Sequence, residues 1–351
     1  HATPGTDGPA ASTFRGTSRR KTGLMLRFLV RRLLGVAAIL LVVSLITFYL
    51  FFAASGADSV VRLSCGKNCT PEMRETVRQN LGLAKPLLEQ YWIFVSGIFT
   101  GRNIGEQTCN FPCLGYSFAN NQNVSHTVAD RFPTTVSLAI GAVVLFMTLG
   151  IGLGVLAAMR RGKKTDKVAT GFALLSGSAP IYVLGPVFIY IFVQQLGWMD
   201  RPQYHQFTDD PLLWASGLLL PWICLMTIHM AMYVRLTRST MVDVLSEDYV
   251  RTLKAKGLSG RSVYIKHAFR GALSPIVTVL GVDIGVLMSG TIITESTFSL
   301  HGIGMLAVTS VTDSDLPMMM GVVVIAATFT MIANLVVDML YVVIDPRVRL
   351  S

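Results

Sequence analysis

The stretch L-L-G-V-A-A-I-L-L-V-V-S-L-I-T-F-Y-L-F-F-A-A, residues 33–54, runs 22 residues without a charge. At 1.5 Å of rise per residue, such a helix covers about 33 Å against roughly 30 Å of bilayer hydrocarbon. A secretory signal core stops at about 7–15 apolar residues, so this run reads as an uncleaved membrane span. Arg27, Arg31 and Arg32 lie just before it. Residues 1–24 are rich in Gly, Pro, Ser and Thr and run into Met25. They read as a leader or extension, disordered and outside the fold.

Five further apolar runs follow, at roughly 134–159, 168–196, 212–234, 276–298 and 318–343. Each is long enough to span with some tilt. The third holds Pro180 and Pro186 and the fourth Pro221, which transmembrane helices tolerate where neighbours satisfy the freed carbonyls. Six spans explain the composition: 52% of the 351 residues are hydrophobic and 14% charged, where soluble domains carry about a quarter charged. A secreted disulfide scaffold, a disordered chain and a cytosolic enzyme all fit poorly.

The net charge of +10 does not mark a nucleic-acid binder, because the charge is not placed for one. Nucleic acid calls for a continuous basic face with reading side chains beside it. Here seven Lys or Arg lie up to Arg32, five between Arg160 and Lys167 and eight between Arg235 and Arg270, with Arg347 and Arg349 at the end. With six spans all four groups fall on one side, which the excess of Lys and Arg makes cytoplasmic, both termini included. The second outer loop has Arg201 with Asp200, Asp209 and Asp210, and the third (295–317) has neither Lys nor Arg.

The first outer loop, 55–132, is long enough for a small folded layer. It holds Cys65 and Cys69 in C-G-K-N-C and Cys109 and Cys113 in C-N-F-P-C. Paired cysteines at short spacing suit zinc, whereas an oxidising compartment suits disulfides. Gaps of three residues on an outward-facing loop favour two disulfides, with three connectivities open. Cys224, inside a span, reads as an apolar packing residue.

No phosphate-binding loop is present, since Gly162-Lys163 is followed by Lys164 instead of Ser or Thr. ATP-driven work would need another chain to hydrolyse the nucleotide. G-I-G-L-G (150–154) lacks the preceding strand and ribose carboxylate of a dinucleotide fingerprint and reads as small residues for close helix contact. Asp283 and Asp338 lie within the fifth and sixth runs, where a charge costs on the order of 2.5–3.5 kcal/mol at a helix centre. Asp283 is a candidate lining of a solute passage, a proton carrier, or a carboxylate bonded to a neighbouring helix. Asp338, with Arg347 and Arg349 just beyond, reads as a structural pairing. His229 and Ser289 raise an intramembrane serine hydrolase, but nothing in their spacing supplies the reach and oxyanion hole it needs.

The inside loop 235–275 is the longest and is no linker. S-E-D-Y-V-R-T-L-K-A-K-G-L (246–258) has helical spacing, with Tyr249, Val250 and Leu253 toward one face and Arg251, Lys254 and Lys256 in the polar remainder. Gly257 is placed for a C-terminal cap. A second short helix, 262–271, is expected before Pro275 at the entrance of the fifth span. An amphipathic pair without its own core is built to dock on something; an interfacial lipid anchor is the plainer alternative.

These residues resemble the transmembrane subunits of bacterial ABC importers for dipeptides and oligopeptides. The resemblance covers nearly everything after Met25. It rests on L-G-L-A-K-P-L-L-E-Q-Y (81–91), R-F-P-T-T-V-S-L-A (131–139), E-D-Y-V-R-T-L-K-A-K-G-L (247–258), T-E-S-T-F-S-L-H-G-I-G (294–304) and N-L-V-V-D-M-L-Y-V-V-I-D-P-R-V-R (334–349). It implies coupling helices within 246–275 that sit on a cytoplasmic ATPase through Glu247, Asp248, Tyr249, Arg251, Gly257, Leu258 and Pro275, and Asp283 at the passage. It further implies a second related permease subunit, two ATPase subunits or domains and an extracytoplasmic substrate-binding protein. No cofactor is expected in this chain, ATP and Mg belonging to the ATPases. The generic E-A-A-x3-G signature is poor, with Arg251, Thr252 and Leu253 before the gap to Gly257. The cysteine segments look additional to the family pattern.

The expectation is an all-α type I ABC importer permease with six transmembrane helices, cytoplasmic termini and a large extracytoplasmic loop between spans one and two. Its parts are 25–54 as the first helix, 55–132 as the outer loop, 133–345 as the permease core with coupling loop 235–275, and 346–351 as a cytoplasmic tail. It moves peptide-like solutes inward across the bacterial cytoplasmic membrane and is not itself catalytic. The competing class is a proton-coupled secondary carrier using Asp283 and Asp338. Such carriers often show internal repeats, and no convincing repeat relates the two halves.

Overall fold

Lipid offers the backbone no hydrogen bonds, so apolar runs of this length must satisfy their amides internally, as helices. The computed structural model describes residues 16–53, 56–65, 70–80, 82–104 and 107–344. In it, five helices are long and apolar enough to cross a membrane, and a bent pair makes up to six. Helix α1 (Gly16–Phe48) runs on through a π-helical turn, Tyr49–Ala53. An outer layer follows, with α2 (Ala57–Cys65), α3 (Pro71–Asn80) and α4 (Leu87–Thr100). Two antiparallel hairpins complete it, β1 (Arg102–Ile104) with β2 (Gln107–Cys109) and β3 (Tyr116–Ser117) with β4 (Gln122–Asn123).

The layer packs back onto the first helix. Tyr91 Oη on α4 lies 2.9 Å from Ser44 Oγ on α1, and Phe94 packs 6.2 Å from Phe48. Ser44 sits eight residues before Phe52, about 12 Å down the helix. α4 therefore packs along the last turns of the first helix. The boundary at 132 moves. Asn123 accepts from the Ser125 amide at 3.0 Å and starts α5 (Val124–Met159) nine residues ahead of the expected core.

The third apolar run is bent. α6 (Lys164–Ser176) and α7 (Ile181–Phe188), which continues into π-helical Ile189–Gln195, meet at 97°. Pro180 holds an extended ψ of 154° at the break, and proline disfavours helix in the residue before it.

Helix α8 (Pro211–Ser246) has 36 residues, about 54 Å, well beyond the hydrocarbon thickness. Residues 235–246, expected as loop, are its last turns. The short helix α9 (Asp248–Ala255) follows. The expected second short helix is no separate element: π-helical Ser262–Ala268 leads directly into α10 (Phe269–Gly290), and Pro275 lies inside α10 instead of at its entrance. α11 (Ile292–Phe298) and α12 (Ile303–Thr312) fill the third outer loop before the last span, α13 (Leu316–Ile344).

The core sits between α5 and α8. A Cβ added at Gly150 would meet Tyr233 Cβ at 2.8 Å, and one at Gly154 would meet Thr237 Cβ at 2.6 Å, whereas Gly152 faces open space. G-I-G-L-G thus brings two helices together at every fourth residue, the close approach expected of small residues in membranes.

Candidate functional site

The sequence E-D-Y-V-R-T-L-K-A-K-G-L builds a short helix with closed ends. Glu247 is extended at ψ 146° and ends α8 while opening α9. Asp248 in the first turn complements the positive helix end and lies 3.2 Å from Arg251. At the other end the Leu258 amide donates to Leu253 O at 3.3 Å and the Gly257 amide to Lys254 O at 3.0 Å. These are the two bonds of a Schellman cap, whose turning residue must be left-handed. Gly257 has φ +80°.

Val250 is fully buried and anchors α9 to the bundle, while Tyr249 stays 47% exposed. Asp248, Arg251 and Lys254 are exposed beside it. The anchored helix thus offers one aromatic ring amid both signs of charge to whatever lies beyond the bundle. Its mounting is stiff. Arg238 on α8 makes a bidentate pair with Asp166, Nε to Oδ1 at 2.5 Å and Nη2 to Oδ2 at 2.8 Å. Asp166 also accepts from the Gly162 amide at 2.9 Å.

Asp283 accepts a 2.8 Å hydrogen bond from Tyr233 on α8 and lies 3.7 Å from His229 Nδ1. Both side chains are mostly buried. Among the roles open to Asp283, the geometry places it in bonds to a neighbouring helix. His229 belongs to that cluster, and the Ser289 side chain is outside the described residues. Asp338 pairs at 3.0 Å with Arg32 of α1; Arg347 and Arg349 lie outside the described residues. Cys109 and Cys113 form a disulfide. Cys69 and the Cys65 side chain lie outside the described residues. Among the described residues no group of three or more His, Cys, Asp or Glu could hold a metal ion.

One buried acid escaped notice in the sequence. Glu295 is fully buried and accepts from Thr135 at 2.7 Å, Thr291 at 2.8 Å and the Met305 amide at 2.9 Å. A Cβ at Gly302 would stand 2.4 Å from its carboxylate carbon. The motifs R-F-P-T-T and T-E-S-T-F-S-L-H-G-I-G therefore meet at one carboxylate. The signal was an acid framed by threonines and glycines in an otherwise apolar stretch.

A helical bundle with five long apolar helices, a bent apolar pair and a short capped helix after α8 defines a multi-pass membrane protein. The chain belongs to the family described as binding-protein-dependent transport system inner membrane component, which matches residues 150–350, the corresponding N-terminal membrane component matching 25–139. It is 34% identical over 350 residues to the dipeptide transport system permease protein DppB of Escherichia coli strain K12, covering 93% of this chain and 99% of that protein. It is 33% identical over 322 residues to a protein of Sinorhizobium fredii named "Probable peptide ABC transporter permease protein y4tP", covering 92% and 99%.

Proposed function

We propose that this chain is the permease subunit of an ATP-driven importer of dipeptides or short oligopeptides, worked by a separate ATPase through α9. The observation that carries the reading is the capped helix itself. Val250 anchors it to the bundle, the Arg238–Asp166 pair stiffens its support, and Tyr249, Asp248 and Arg251 are left exposed. A helix held this firmly can pass a push from a partner to α8 and α10. The partners in this reading are a second related permease, two ATPase subunits or domains that bind ATP and Mg, and an extracytoplasmic binding protein that delivers the solute. The names of the relatives support a peptide passenger.

In this reading the chain performs no bond chemistry. Its work is to bind, to exclude ions while the passage is closed, and to change tilt when α9 is moved. The proton-carrier alternative needs Asp283 and Asp338 as free relay groups. Asp283 is bonded to Tyr233 and Asp338 is paired with Arg32, which favours the ATPase-driven reading.

The test is Gly257→Arg in the full transporter. A side chain at φ +80° costs roughly 1–2 kcal/mol, opening the cap without touching the spans. The expected result is a chain that still inserts, fails to retain the ATPase in mild detergent and loses at least tenfold in ATP-driven peptide uptake. Retention of both the ATPase and uptake would overturn the reading.

A further inference from the structure

The outer ends of three spans enclose a cleft of about 930 Å³. Its walls are the beginning of α5, the segment 201–204 between the third and fourth spans, and 299–301 after α11. Small-ligand sites commonly measure about 300–1,000 Å³, so the cleft has the size of a small solute and stands where one would arrive from outside.

Its chemistry is one-sided. Arg131 and Arg201 both line it, and among the described residues neither has a hydrogen-bond acceptor or ion-pair partner. The one acid in the lining, Asp130, is engaged by His126 at 2.9 Å and not by either arginine. Gln203 and Tyr204 add neutral donors. Two guanidinium forks without counter-ions on two walls of one cleft are suited to a carboxylate, which each can grip bidentately. A single exposed carboxylate in the same cleft can meet an ammonium group.

We propose that this cleft is a receiving site for the charged ends of a short peptide, with Arg131 and Arg201 holding its terminal carboxylate and Asp130 facing its amine. The inference deepens the peptide-permease reading and rests on it. The start of α5 and the segment 201–204, about 70 residues apart, supply the groups, so no single motif announces the site.

The experiment measures binding of dialanine and of dialanine amide to the full chain in nanodiscs, by calorimetry, for wild type, R131Q, R201Q, R131Q/R201Q and R131K/R201K. Dialanine is expected to bind at least tenfold more tightly than its amide. Each glutamine should weaken dialanine roughly tenfold, as expected for a lost charged hydrogen bond, and the double lysine variant should retain part of the affinity. An unchanged thermal midpoint in R131Q/R201Q separates lost recognition from lost folding. Equal affinity for acid and amide, unchanged affinity in a folded R131Q/R201Q chain, or no dialanine binding to wild type overturns the cleft assignment.

A parallel uptake assay separates the two claims. Wild-type transporter that imports dialanine with the same KM as R131Q/R201Q refutes the cleft and leaves the permease reading standing. Wild-type transporter with ATP and binding protein that imports no peptide refutes both.

Discussion

The Thr135 hydroxyl donates a 2.7 Å hydrogen bond to Oε1 of Glu295, 160 residues further along the chain, and accepts one in turn from the Ile303 amide at 2.9 Å. Thr135 thereby ties the early part of α5 to α11 and the start of α12. Glu295 spends its other oxygen on the Met305 amide, satisfying a helix start that would otherwise be orphaned in a dry place. The outer half of the permease is organised around this one carboxylate.

Replacing Thr135 by Val takes one of two donors from Glu295 Oε1 and leaves the buried Ile303 amide without this acceptor, which costs about 1–3 kcal/mol. Thr135→Ser keeps the hydroxyl and should cost less than half as much. Thermal unfolding of the purified protein in one detergent compares them; equal midpoints for Val and Ser would show that the bond contributes nothing.

The glycines of G-I-G-L-G give a prediction internal to five residues. Gly154→Ala puts a methyl 2.6 Å from Thr237 Cβ, while Gly152→Ala meets nothing within 4 Å. The first should destabilise by roughly 1–3 kcal/mol through forced helix separation. The second should be neutral or stabilise by up to about 1 kcal/mol through helix propensity. Expression level and unfolding midpoint read both, and a reversed order would refute the packing described here.

Asp315 supplies a pH dependence. It is fully buried and accepts from Ser117, from Asn120 at 3.2 Å and from the Met318 amide at 3.1 Å, joining the β3–β4 hairpin to the start of α13. Burial, partly offset by these bonds, holds its carboxyl above the ordinary 3.8. An acid whose pKa is raised by folding contributes stability that is complete below its unfolded value and is lost as pH rises through its folded value. Hydrogen exchange at residues 116–123 should therefore quicken with pH beyond the intrinsic rate across that window, and Asp315→Asn should remove the excess. An excess that persists in Asp315→Asn would assign it to another group.

The spans were legible because hydrocarbon demands long uncharged runs, and 33–54 can hardly be read otherwise. Gly257 was legible because a charged amphipathic turn ending in glycine has one common meaning. The third run's bend was not, although Pro180 was in view, because a proline in a transmembrane run can kink or be absorbed, and only packing decides. The extent of α8 was hidden by Arg235 and Arg238, which look like loop charges; Arg238 in fact spends its charge on Asp166. Among the described residues Asp338 pairs with Arg32, some 300 residues earlier, a contact no local window could show. Glu295 and the Arg131–Arg201 cleft are assembled from segments brought together by the fold alone, so no window along the chain contains them.

The central claim is that α9 is the surface gripped by a separate motor on the cytoplasmic side. Tyr249→Cys places a thiol at its exposed face, and a short bismaleimide applied to inverted membrane vesicles carrying the whole transporter reads its neighbour. The account predicts a cross-linked species with the combined mass of this chain and the ATPase, lost when Gly257→Arg is added. A thiol labelled by impermeant reagent from the outside of intact cells, with no ATPase adduct in the vesicles, would contradict it.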